Sequence, residues 1–206
     1  MTAVYDCSVE SELLEGLRAA RGAIGRGELV VIPTDTVYGL AADAFRPAAV
    51  QRLLEAKESG RDVPPTVLIP GIPTLNALAE NVPELGETRG TVALRMPDNP
   101  HTRHLLADTG PLAVSSANIA GMPAATSAAD ALAMLGDRVS VYLDGGVLGG
   151  SVPGGAVVGD GDPAAAASTV VDATSLHLPE GRLRILRDGA VTREAIVDDV
   201  GAELVA

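Results

Sequence analysis

The sequence predicts an α/β or α+β domain, a mixed sheet covered by helices, and three observations predict it. Short apolar runs bounded by turn residues recur along the chain, helical apolar patterns lie between several of them, and no composition break marks a second body. With 206 residues, 47% apolar and 20% charged, there is material for one sizeable core, so a single domain over residues 1–206 is expected.

Leu13, Leu14, Leu17, Ala20 and Ile24 recur at helical spacing, and Gly25 and Gly27 close that helix before an apolar strand at 29–32. Pro33 has no N–H to donate, so the strand stops there and gives way to the loop Thr34-Asp35-Thr36-Val37-Tyr38-Gly39. Pro47 suits a first helical turn, and Val50, Leu53 and Leu54 mark one face of a helix ending around Lys57. Further strands are expected at 67–69, 91–94, 112–114, 139–143, 169–171 and 183–186, with helices near 74–79, 101–107, 128–135 and 193–200. Residues 144–167 differ in texture: eight glycines among small side chains predict a flexible surface loop.

Composition removes several function classes. Against 15 basic side chains stand 27 acidic ones, a formal charge of -12, which disfavours gripping a phosphate backbone mainly by charge and leaves only a basic cleft on an acidic body as a route to one. Four aromatics (Tyr5, Tyr38, Phe45, Tyr142) supply no stacking platform for single strands. Cys7 is the only cysteine, which excludes an internal disulfide framework. No apolar run reaches the roughly 18 residues of a membrane span, and the N-terminus lacks a basic signal region, so a soluble, cytoplasmic protein is expected. His101 and His104 stand three apart with no third ligand near them, so no protein-held metal is expected. Neither a Gly-x-Ser-x-Gly elbow, a Walker A loop nor a dinucleotide glycine fingerprint is present.

Chemistry concentrates at the ends of the expected strands. The loop 33–39 carries two threonine hydroxyls, a carboxylate and a phenol, suited either to rimming a small-ligand pocket or to capping a turn. Ser115-Ser116-Ala117-Asn118 repeats the arrangement, with hydroxyls and an amide that bind phosphate or carboxylate oxygens without net charge. Ser168-Thr169 and Arg187 add a third hydroxyl site and a guanidinium. Arg95, just before Met96-Pro97, presents a fork for a carboxylate or else makes a surface ion pair; Lys57 reaches a phosphate or else complements its helix dipole.

These motifs, in this order, resemble the YrdC-like family of L-threonylcarbamoyl-AMP synthases: Pro33-Thr34-Asp35-Thr36-Val37-Tyr38-Gly39-Leu40, Ala56-Lys57, Arg95-Met96-Pro97, Ser115-Ser116-Ala117-Asn118, Ser168-Thr169-Val170-Val171-Asp172 and Ile185-Leu186-Arg187-Asp188-Gly189. The similarity runs from about residue 27 to 190, like the short form without an extra C-terminal domain. It implies a twisted, open mixed sheet with a large concave cavity, the YrdC-like (DHBP-synthase-like) fold. The implied enzyme makes threonylcarbamoyl-adenylate and pyrophosphate from L-threonine, bicarbonate and ATP, with Mg2+ on the phosphates, for a transferase machinery that modifies tRNA; direct tRNA binding by so acidic a chain is expected to be weak or absent. By the same resemblance Thr36, Arg95, Ser116 and Ser168 hold threonine, Lys57, Thr91, Asn118, Thr126 and Arg187 contact ATP, and Lys57, Ser116 and Asn118 form the catalytic set. Three departures stand out. Ser59 replaces the arginine of the family's Lys-x-Arg motif, with Arg61 as its nearest substitute; the link 79–91 lacks roughly two dozen residues and a strand, leaving a sheet edge for another subunit, as in a homodimer; and Leu68 stands where a polar residue is expected. Two alternatives follow: a catalytically silent relative that binds nucleotide or RNA, and a carbamoyl-adenylate enzyme with another acceptor.

Overall fold

The computed structural model describes residues 2–75, 78, 83–88, 90–148 and 168–206. The chain divides into two compact units, Met1–Leu148 and Gly149–Ala206. The helix expected near 74–79 and the glycine-rich stretch beyond 148 lie largely outside the described residues.

In the first unit seven strands form one mixed sheet: β1 (Ala3–Asp6), β2 (Val30–Ile32), β3 (Gly39–Asp43), β4 (Thr66–Leu68), β5 (Leu94–Arg95), β6 (Leu112–Ser116) and β7 (Val141–Asp144), in the order β1-β7-β2-β3-β6-β4-β5. β7 runs parallel to β1 and β2, β5 parallel to β4, and the β2–β3, β3–β6 and β6–β4 pairs are antiparallel. Helices α1 (Glu10–Gly25), α2 (Pro47–Ala56), α3 (Pro100–Thr109) and α4 (Ala128–Leu135) cover it, so the expected helix-flanked mixed sheet is what the chain forms.

The twofold period of the strands divides the core between the faces. Val30, Ile32 and Ala41 pack with Leu17, Ala20 and Ile24 of α1 and with Leu105 and Leu106 of α3. Their neighbours Val31, Leu40 and Ala42 point the other way, onto Leu53 and Leu54 of α2 and Ala131 and Leu135 of α4. Leu68, where the resemblance leads one to expect a polar group, belongs to the α1 side of this core and is 2% exposed.

The expected strand at 91–94 is shorter and later. Thr91 lies in a turn, its amide and hydroxyl both donating to the Thr88 carbonyl at 3.0 Å, and only Leu94–Arg95 forms the edge strand β5. Two strands escaped the sequence reading, β1 and β3. β3 reads Gly-Leu-Ala-Ala-Asp, yet it crosses the middle of the sheet with four of its five residues buried.

In the second unit, β8 (Val170–Asp172) and β9 (Arg184–Arg187) pair antiparallel, and α5 (Arg193–Val200) is capped by Thr192, whose hydroxyl accepts from the Ala195 amide at 3.2 Å.

Candidate active site

Two polar clusters adjoin where β2, β3 and β6 meet. The first is the loop between β2 and β3. Thr34 and Thr36 are each 4% exposed, and their hydroxyls lie 3.2 Å apart. The Thr34 hydroxyl donates to the Val37 carbonyl at 2.6 Å, which uses its only proton, so in the contact between the two threonines Thr36 is the donor. Arg95 Nη1 donates to Thr36 Oγ1 at 3.1 Å. A directed chain results, from guanidinium to Thr36, to Thr34, to the backbone, and each bond polarises the next. Arg95 Nη2 also pairs with Asp35 Oδ2 at 2.7 Å, and the other Asp35 oxygen accepts the Asp98 amide at 3.1 Å. Arg95 stands on β5, with β4 and β6 between it and β3, so the loop folds over the sheet to meet it. Thr102 of α3, donating to the Pro33 carbonyl, holds the loop there.

The second cluster is the end of β6. Gly39 pairs with Ser116 across the β3–β6 ladder, and a side chain at 39 would place its Cβ 2.6 Å from Val114 Cγ1, so this approach requires glycine. The Ala117 amide donates to the Tyr38 carbonyl at 2.8 Å, which joins the two clusters. From the opposite helix layer comes Lys57, the residue that ends α2, only 6% exposed. Its Nζ donates to the Ser116 carbonyl and to the Asn118 carbonyl and Oδ1 at 2.8 and 3.0 Å, with Ser116 Oγ at 3.4 Å. Asn118 in turn donates Nδ2 to the Ile119 and Met122 carbonyls at 3.1 and 2.6 Å, so both of its side-chain N–H donors are used. Burial pushes the Lys57 ammonium down to about 8.

Behind this junction, Tyr38 is fully buried. Its phenol donates to the Gly146 carbonyl at 2.6 Å and accepts the Gly145 amide at 2.9 Å, and burial beside the Asp144 carboxylate raises it above the ordinary phenol range. Thr126 is half-buried next to Ala125, whose carbonyl accepts the Tyr38 amide at 2.9 Å.

The structure therefore brings together Thr36 with Arg95, and Lys57 with Ser116 and Asn118. Thr91 and Arg61 do not join them through any contact described here: Thr91 is exposed, and Arg61 pairs with Glu84 at 3.1 Å on the surface. Ser59 is half-buried, its hydroxyl 3.4 Å from the Leu54 carbonyl. In the second unit Arg187 donates Nε and Nη2 to the Ser168 carbonyl at 3.1 and 2.8 Å. Asp35 is the residue whose role sequence reading missed; its place between two threonines was the available signal. Among the described residues, no group of three or more His, Cys, Asp or Glu side chains could hold a metal ion, and no helix is long and apolar enough to cross a membrane.

Fold and site together define a class: an α/β protein that gathers hydroxyls, an amide and a guanidinium at its strand-end loops, groups whose chemistry suits carboxylate or phosphate oxygens. The chain belongs to the Sua5/YciO/YrdC family, described as telomere recombination, whose profile matches residues 22–88 and 82–189. It is 38% identical over 230 aligned positions to a Mycobacterium tuberculosis (strain H37Rv) protein named "Putative threonylcarbamoyl-AMP synthase", covering 98% of this chain and 97% of that one. To the threonylcarbamoyl-AMP synthase of Bacillus subtilis (strain 168) it is 30% identical, over 88% of this chain and 56% of the other. Among solved structures, Pyrococcus abyssi Sua5 complexed with L-threonine superimposes with a TM-score of 0.75 at 28% identity, over 100% of this chain and 62% of that one. Escherichia coli YciO shares the fold, with a TM-score of 0.60 at 20% identity over 72% of this chain and 86% of that one. Against a 206-residue chain, 230 aligned positions leave at least 24 at which the mycobacterial relative has residues and this chain has none. The family model matches as two segments that overlap at 82–88, inside the short link 79–91.

Proposed function

We propose that the protein is an L-threonylcarbamoyl-AMP synthase. One observation carries the reading from the geometry: the Arg95–Thr36 pair and the Lys57-bound end of β6 are neighbours, joined by the Ala117–Tyr38 hydrogen bond at 2.8 Å. Threonine's amine captures carbon dioxide from bicarbonate as a carbamate. A carbamate oxygen then attacks the α-phosphorus of ATP, the bond to the β-phosphate oxygen breaks, and pyrophosphate leaves, with Mg2+ arriving as part of the ATP substrate.

Such a step depends on positioning and on charge stabilisation more than on a dedicated acid and base. Arg95 takes the threonine carboxylate, a planar bidentate partner for the guanidinium, and Thr36 orients it by accepting from Nη1. Ser116 offers its hydroxyl beside them, while Lys57 fixes the strand end that presents Ser116 and Asn118 and sets a positive charge behind it. The adenylate product is a mixed anhydride, and a downstream transferase acting on tRNA would consume it.

The test is pyrophosphate release from ATP with Mg2+ and bicarbonate, with and without L-threonine, beside a Ser59→Arg variant. Threonine-dependent release by the natural protein is expected, with a lower KM for ATP in the variant. Turnover by Ser59→Arg alone would favour the silent-relative reading, which the serine at 59 and the short link 79–91 motivate. Release with another amino acid in place of threonine would favour a different acceptor.

A further inference from the structure

We infer that Asp35 is the positioning residue of the carboxylate site: it fixes the Arg95 guanidinium for the substrate and ties the segment 96–98 to the β2–β3 loop. The inference rests on the reading of Arg95 as the residue that binds the threonine carboxylate. Arg95 stands on a two-residue edge strand held to the sheet on one side, by β4. From there its side chain extends to a loop belonging to strands further inside the sheet. A side chain of that length has several rotatable bonds, so an unsupported Arg95 would meet a substrate in many orientations.

Asp35 supplies the support. One of its oxygens binds Nη2 at 2.7 Å and the other accepts the Asp98 amide at 3.1 Å, so a single carboxylate spans the edge strand and the segment that follows it. The Arg95 and Asp35 side chains are 22% and 20% exposed, partly withdrawn from water, where a charge-assisted bond is stronger than on an open surface. The carboxylate is itself fixed, because the turn that carries it is closed by the Thr36 amide donating to Thr34 Oγ1 at 3.1 Å and by the Thr34 hydroxyl on the Val37 carbonyl. With Nη2 held by Asp35 and Nη1 by Thr36, the plane of the guanidinium is defined before any ligand arrives, which is the geometric requirement for bidentate carboxylate recognition.

Asp35→Asn keeps the shape and removes the charge. Its threonine KM is expected to rise about tenfold while the ATP KM stays within about twofold, and Asp35→Glu, which restores the charge one methylene away, is expected to fall between it and the natural protein. Hydrogen exchange should quicken in the peptide spanning 94–99, because the single oxygen of an asparagine can serve Arg95 or the Asp98 amide but not both. An unchanged or lower threonine KM would overturn the proposal, since Asp35 would then be a bystander or a competitor for Arg95; so would equal rises for threonine and ATP. Should Asp35→Asn fail to fold, Asp35→Glu carries the same KM comparison. If the natural protein releases no threonine-dependent pyrophosphate, the functional reading fails by itself, and exchange in 94–99 still decides the tether: faster supports it, unchanged overturns it.

Discussion

Lys57 is the only lysine among 206 residues, and it is buried, which makes its titration directly measurable. In protein labelled with 13C-lysine a single side-chain resonance should move with a midpoint near 8, against an ordinary lysine value of 10.5. The linkage has a definite sign. Below pH 8 native and unfolded chains both carry the proton, and the cost of burying the charge is present in full. Between 8 and 10.5 the unfolded chain holds more protons than the native one, so stability rises with pH, by about 3 kcal/mol in all from this group. Lys57→Met removes the titration and orphans the Asn118 carbonyl and Asn118 Oδ1, at about 1–3 kcal/mol each, while the Ser116 carbonyl keeps the Asn118 amide at 2.9 Å. Relief of the buried charge, about 3 kcal/mol, offsets much of that at neutral pH, so the variant should lose at most about 3 kcal/mol at pH 7 and about 3 kcal/mol more at pH 10.5. Urea unfolding of both proteins at the two pH values checks this. A resonance midpoint near 10.5, or a stability difference that does not widen with pH, would refute the buried-cation argument.

Three further outcomes are expected. Arg95→Ala should raise the threonine KM by about a hundredfold and the ATP KM by far less, as read in the pyrophosphate assay, because the charged half of a carboxylate clamp is gone. Tyr38→Phe should cost about 1–3 kcal/mol in urea unfolding, because the Gly145 amide and Gly146 carbonyl lose the phenol that joins them to the β2–β3 loop. Gly16→Ala should destabilise by about 1–3 kcal/mol in the same assay, since the new Cβ would sit 2.7 Å from Tyr5 Cβ and 2.9 Å from Leu143 Cδ2 in the contact between α1 and the sheet.

How much of this was legible in the sequence depended on how local the cause was. α1 and α2 announce themselves through apolar spacing, and Pro33 marks the end of β2, because each signal lies within the element it defines. β3 does not. Gly39, Ala41 and Ala42 carry little strand preference of their own; they form a strand because Ile32 pairs with Gly39 on one side and Ser116 on the other, and the second of these partners lies far away in the sequence. β1 is a half-exposed edge strand of four residues whose pairing with β7 spans most of the first unit, and nothing in its own pattern reveals that partner. In the site, residue types at strand ends were readable one by one, but their pairings were not. Lys57 with Asn118 and Asp35 with Arg95 are contacts between residues about sixty positions apart.

The same distinction explains why the sequence left Lys57 between a helix dipole and a phosphate, when its ammonium rests on oxygens of the chain itself. The protein carries fourteen arginines and this one lysine. An ammonium is a compact charge with three donors that point apart, and here it meets three oxygens around one strand end: the Ser116 carbonyl, the Asn118 carbonyl and Asn118 Oδ1. A guanidinium is planar and wider, so in a site 6% exposed it would satisfy at most a coplanar pair of these acceptors and displace the third. Lys57→Arg, which preserves the charge, is therefore expected to destabilise the protein at pH 7 by at least as much as Lys57→Met and to impair turnover. Recovery of natural stability by arginine would mean that charge alone, and not the three-way geometry at the end of β6, is what position 57 supplies.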